Sequence, residues 1–202
     1  MRIEFARIAA GDADALADFL AGEDWPYHAG TQDREAVRRR AAEGGYDDEE
    51  TRTFWVLADG ERAGLVRLQD LADDTPLFDL RVRAAWRGRG LGTASVAWLT
   101  GHLFTELPGV TRIEATTRQD NLAMRVVLRR SGFVKEAHYR EAWPALDGTR
   151  RDAVGYAILR RDWLAGTVTS PDWDDEPACP PPPGRDGLAY RPLRPGDPDD
   201  GS

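Results

Sequence analysis

Midway along the chain, a strand gives way to a helix through three alternating glycines, Gly88, Gly90 and Gly92. Residues 77–83 alternate with the two-residue period of a strand. From residue 92 or 93 to about 106 the apolar spacing is helical, and Pro108 ends it. Glycine lets a backbone approach a ligand closely, and the helix start that follows offers unpaired N–H groups and the positive end of a dipole. That combination suits a diphosphate, to which Arg87 and Arg89 would add charge-assisted contacts. A Walker loop is excluded, because no Gly-Lys-Ser/Thr is present. A dinucleotide fingerprint is excluded because Thr93 stands at its last glycine and the turn lies mid-chain. A plain glycine-rich strand-to-helix connection is the alternative.

Around this junction the periodicity switches repeatedly. It predicts a strand over 2–9, helices over 12–21 and 34–43, and a hairpin of 53–57 with 63–68 around Asp59-Gly60. A strand over 112–117, a helix over 122–130 closed by Gly132, and strands over 134–143 and 151–159 follow. The order β-α-α-β-β-β-α-β-α-β-β is that of a mixed α+β domain, not a doubly wound sheet. Residues 167–202 differ in composition, holding nine of the thirteen prolines and eight Asp/Glu against three Arg. Such a segment buries too little apolar surface to offset its ordering entropy. The expected organisation is a domain over 1–166 and a disordered Pro/Asp-rich tail over 167–202.

Arg87-x-x-Gly90-x-Gly92 also fits the coenzyme A loop, Arg/Gln-x-x-Gly-x-Gly/Ala, in spacing and context. A second motif lies one strand further on, where Asn121 precedes Gly132-Phe133 by eleven and twelve positions across an amphipathic helix. With both motifs in order, the chain resembles the GNAT N-acetyltransferase superfamily over most of residues 1–166. The resemblance implies a mixed, mostly antiparallel sheet with splayed central strands, flanked by helices. It implies acetyl-CoA as acetyl donor, with the pantetheine arm in the splay. Val82 and Arg83 would contact that arm through their backbone. Arg87, Gly88, Arg89, Gly90, Leu91, Gly92 and Thr93 would hold the diphosphate, and Asn121 would touch the cofactor.

The implied reaction is attack of an amine on the acetyl thioester. A primary amine with a pKa of about 10 is mostly ammonium at pH 7, so a base or water relay is needed. Asp79 and Glu114 are the candidate catalytic acids, each read equally well as a structural ion pair, Asp79 with Arg81 or Arg112. Many relatives carry a tyrosine acid seven residues after the asparagine. Leu128 stands there, and Met124 replaces a serine found in another subgroup, leaving Tyr139, Tyr156 or water. Glu23, Asp24, Trp25, Tyr27 and His28 lie where the family caps its acceptor site, and suit a cationic or sugar-like amine. Trp25 alone also reads as a core residue. Stretches from Trp25-Pro26-Tyr27-His28 to Gln119-Asp120-Asn121 are similar to aminoglycoside 2′-N-acetyltransferases of the kasugamycin-inactivating type. An aminosugar or aminoglycoside is therefore the expected acceptor. A protein N-terminus and a non-catalytic coenzyme A-binding module are the alternatives.

Charge narrows the partners. With 27 basic and 35 acidic residues the net charge is −8, which disfavours nucleic acid and favours cationic partners. No apolar run reaches the roughly 18 residues of a membrane span, and no signal peptide is visible at Met1-Arg2-Ile3-Glu4-Phe5. Cys179 is the only cysteine and no two histidines have metal-ligand spacing, so neither a disulfide nor a metal is expected. The chain reads as cytoplasmic, acting on a small-molecule amine, with a homodimer allowed.

Overall fold

The computed structural model describes residues 1–28, 32–145 and 147–173. Alternating segments and turn residues build one sheet from β1 (Ile3–Arg7), β2 (Arg52–Ala58), β3 (Glu61–Gln69), β4 (Leu77–Val82), β5 (Arg112–Arg118), β6 (Val134–Pro144) and β7 (Arg150–Leu159), in the order β1-β2-β3-β4-β5-β7-β6. Five helices flank it: α1 (Ala13–Ala21), α2 (Arg34–Ala42), α3 (Leu91–Glu106), α4 (Leu122–Arg130) and α5 (Arg160–Ala165). Every neighbouring pair of strands is antiparallel except β4 with β5. This is the mixed, mostly antiparallel sheet flanked by helices that the two motifs led one to expect.

The pleat separates two cores. Val66 and Leu68 of β3 join Leu99 and Leu103 of α3 and Leu128 of α4. Leu65, one residue away on the strand, joins Leu16, Phe19 and Leu20 of α1 and Val37 of α2 on the opposite face. Helix ends follow their capping residues: the Asp33 side chain accepts from Ala36 N, and that of Asn121 from Met124 N. His102 of α3 stacks on Trp98, with ring centroids 5.0 Å apart, so it is a packing residue whose pKa burial pushes down.

One feature differs from expectation. α5 was not anticipated, because six residues are too few to show a period; the Arg160 guanidinium secures its start by donating to the Phe104 and Leu107 carbonyls at the end of α3. One compact unit runs over Met1–Pro171. Thr167 and Thr169 hydrogen-bond Asp162 of α5, which fastens this stretch. The remainder of the expected tail, 174–202 with Cys179, lies outside the described residues.

Candidate active site

β4 and β5 touch at one end only. Leu77 pairs with Glu114, and Glu114 N donates to Pro76 O at 3.0 Å; beyond that point no pairing continues. On its other edge β4 stays in register with β3 as far as Val82. Arg83 N donates to Ala63 O, so by strand alternation the odd-numbered backbone groups of β4 face β3. Leu80 and Val82 therefore face the opening between β4 and β5. The Val82 backbone thus faces the opening, whereas the Arg83 backbone turns away, and the Arg83 guanidinium lies 4.9 Å over the Phe19 ring. Leu80, missed from sequence, shares the parity of Val82.

The glycine turn closes one end of this opening. Gly88 and Gly90 have φ of 74° and 88°, a backbone region in which side chains are strained. A Cβ on either would meet nothing within 4 Å, so the space before them is open. Gly90 starts α3 without a side-chain cap, and the first bond back to it comes from Ala94 N. The Leu91, Gly92 and Thr93 N–H groups at the helix start are thus available to an anion. The Leu91 side chain is buried, so only its backbone can serve. A Cβ on Gly92 would come within 3.3 Å of Val127, which fixes how closely α3 meets α4. Arg87 donates from Nε to Val82 O at 2.9 Å, and Arg89 lies over the Trp86 ring. An unpaired strand edge leading to an open glycine turn and a bare helix start fits a pantetheine arm with a diphosphate. Asn121 is engaged locally: it caps α4 and donates from Nδ2 to Thr117 Oγ1 at 3.0 Å.

Above the opening, on the α1 and α2 side of the sheet, lies the segment after α1. Pro26 O accepts from Arg118 Nη1 of β5 at 2.8 Å, and the Arg118 guanidinium covers the Tyr27 ring. His28 Nε2 lies 2.8 Å from Asp79 Oδ1 of β4. The segment is thus fastened to both strands. Glu23 accepts from Ala84 N, tethering the segment to the turn after β4, and Asp24 is exposed. Trp25 is 4% exposed and donates to Leu20 O, so its ring belongs to the core rather than to an acceptor surface.

The two candidate acids share this face but differ in setting. Asp79 accepts from Arg81 Nε at 3.0 Å and lies 3.9 Å from Arg67 Nη2. Burial pushes its carboxyl up, but the His28 hydrogen bond and the charges of Arg81, His28 and Arg67 outweigh burial and hold it well below the usual carboxylate range. Arg67, unnoticed in the sequence, makes the smallest of these contributions; its own pKa is lowered, chiefly by burial. Glu114 pairs with Arg112 at 2.7 Å, and Arg112 also reaches Glu136 at 2.9 Å. These three, with Thr116 and Tyr139, line a cleft of about 130 Å³. A larger cavity of about 240 Å³ lies between the turn after β1, α1 and the end of α2, and holds none of the expected site residues. Tyr139 is exposed, whereas the Tyr156 hydroxyl accepts from Arg125 of α4 on the opposite face. Leu128 is fully buried. His138 pairs with Asp152, away from these groups. Among the described residues no cluster of three metal-ligating groups occurs, and no helix is long and apolar enough to cross a membrane.

Residues 2–134 match the family model described as an acetyltransferase (GNAT) domain. No curated protein matches the chain. Among solved structures, a spermidine N-acetyltransferase from Vibrio cholerae in complex with CoA and spermine is similar, with a TM-score of 0.71 and 18% identity over 80% of this chain and 98% of that one. RimL, a ribosomal alpha-N-protein acetyltransferase in complex with coenzyme A, gives 0.69 and 17% over 78% and 93%. A probable acetyltransferase gives 0.69 and 22% over 80% and 94%. At these identities the likeness is one of fold.

Proposed function

The chain belongs to the GNAT acetyltransferase family, whose members are acetyl-CoA-dependent N-acetyltransferases, and from that premise we propose that its acceptor is a primary amine of an aminosugar or aminoglycoside. Bound acetyl-CoA supplies an activated acetyl group. The backbone of Leu80 and Val82 and the turn from Arg87 to Thr93 are the groups that would hold it. The family assignment sets aside the reading as a non-catalytic module.

The observation that carries the acceptor reading is the cleft beside the β4–β5 opening. Glu114 and Glu136 share one Arg112, which leaves one net negative charge beside a threonine hydroxyl and an exposed tyrosine ring. An ammonium on a hydroxylated ring answers each of these groups, by charge pairing, hydrogen bonding and stacking. A peptide N-terminus would need a groove for the chain that follows it. The segment over residues 25–28, pinned to both β4 and β5, stands across that side and favours a compact acceptor. Polyamines, named with one of the similar structures, would match the charge but bring no hydroxylated ring to stack on the tyrosine.

Release of coenzyme A, followed with kasugamycin, other aminoglycosides, spermidine and short peptides, tests the proposal. An aminoglycoside is expected to give a kcat/KM at least tenfold above spermidine and the peptides. A preference for spermidine or a peptide would overturn it.

A further inference from the structure

We propose that His28 is the catalytic base of the acetyl transfer and that Asp79, one of the two expected acids, is its positioning residue. The inference rests on acetyltransferase activity and not on the aminosugar reading.

Asp79 is poorly placed to take a proton itself. One carboxylate oxygen is engaged by Arg81 at 3.0 Å with Arg67 behind, and the other faces His28 at 2.8 Å. A carboxylate stabilised by two guanidinium groups has little basicity left. Being ionised, it can only accept, so the hydrogen bond with His28 must run from Nε2–H to Oδ1. In neutral His28 the lone pair then sits on Nδ1. Imidazole is also the side chain that most often serves as a general base.

The ring is fixed from several sides. Trp25 meets it edge-on, with centroids 6.3 Å apart, and His28 N donates to Trp25 O. Facing it is Asp79 of β4, which Arg81 of β4 and Arg67 of β3 hold in turn. Its own segment is held to β5 by Arg118, with Tyr27 beneath that guanidinium. His28 is about a quarter exposed, so it is partly sheltered yet reachable by an acceptor.

The proton balance closes. His28 Nδ1 takes one proton from the ammonium, freeing the nitrogen lone pair to form the N–C bond to the acetyl carbon. The C–S electron pair leaves with sulfur, the remaining surplus proton on nitrogen passes to that thiolate, and His28 returns its own proton to solvent. The net release is one proton for each acetyl group moved.

Two measurements on the full chain test this. Nitrogen-15 spectra of the three histidines, with the His28 signals assigned by their loss in His28→Gln, should show neutral His28 protonated at Nε2. Protonation at Nδ1 would overturn the proposal, whatever the acceptor proves to be. In kinetics with kasugamycin or spermidine, whichever is turned over, His28→Gln should lower kcat at pH 7 by about 10²-fold or more. The deficit should shrink about tenfold per pH unit as the pH rises towards the pKa of the amine, because the acceptor then arrives neutral. A deficit that stays constant with pH, with coenzyme A affinity unchanged, would mark His28 as structural and overturn its role as base. If neither amine is turned over, the tautomer alone decides.

Discussion

The two strands that border the opening carry the same kinds of side chain on one face of the sheet, in contrasting environments. On β4, Asp79 is 17% exposed and Arg81 7% exposed, and both lie under the segment of residues 25–28. On β5, Glu114 is 40% exposed and its Arg112 partner 31% exposed, at the wall of an open cleft. Burial decides what each pair can do. Charges removed from water are costly to leave unpaired, so the β4 cluster is a fixed framework that can orient a neighbour. Charges that remain hydrated are worth little to stability, so the β5 pair can exchange its partner for an arriving cation at small cost.

The sharpest way to break this contrast is to remove Asp79. Asp79→Ala leaves Arg81 buried without its counter-charge, a change that typically costs about 3–5 kcal/mol. Urea unfolding at pH 7 should show a loss of this order, and a loss below about 1 kcal/mol would mean that β4 is no more rigid than β5. The folded-state pKa of Asp79 is depressed, so its contribution is complete above the unfolded carboxylate value of about 3.9 and fades as pH falls through the folded one. The gap between wild type and Asp79→Asn should therefore narrow in strong acid.

A smaller effect separates the cofactor from the acceptor. Gly90 has φ of 88° and opens the helix start that would receive the diphosphate, so Gly90→Val both strains the turn and fills the space before it. Calorimetry should show acetyl-CoA binding at least tenfold more weakly, while Glu114→Gln leaves that affinity unchanged. Equal losses in both variants would dissolve the distinction between a cofactor side and an acceptor side.

Local signals carried most of the fold. α4 begins and ends where its sequence indicates, since Asn121 caps it and Gly132, at φ 87°, follows its end. The glycine turn was legible for the same reason: conformational need and helix start are both written in adjacent residues. What sequence could not show depends on distant partners. Arg67 and Arg118 look like ordinary strand arginines until the sheet brings one beside Asp79 and the other under Pro26, 92 positions away. Backbone parity was equally hidden. Arg83 differs from Val82 only by pointing its N–H at Ala63, which is a property of register and not of residue type. The role of Trp25 turned on burial, and aromatic residues serve cores and surfaces alike.

The smallest expected change is at Glu114, and it tests the exposed half of the contrast directly. Glu114→Gln keeps the shape and hydrogen-bonding capacity of the side chain and removes one charge. Arg112 retains Glu136 at 2.9 Å, so no buried ion is stranded. Loss of an exposed pair is worth about 0–1 kcal/mol, and the melting temperature should hardly move. On the acceptor side, however, the cleft would lose its net negative charge. If Glu114 anchors an ammonium, KM for the acceptor should rise about three- to tenfold with kcat kept, because the contact is made equally before and during reaction. A fall in kcat with KM unchanged would instead place Glu114 at the proton transfer, and the base would then lie on β5 rather than above β4.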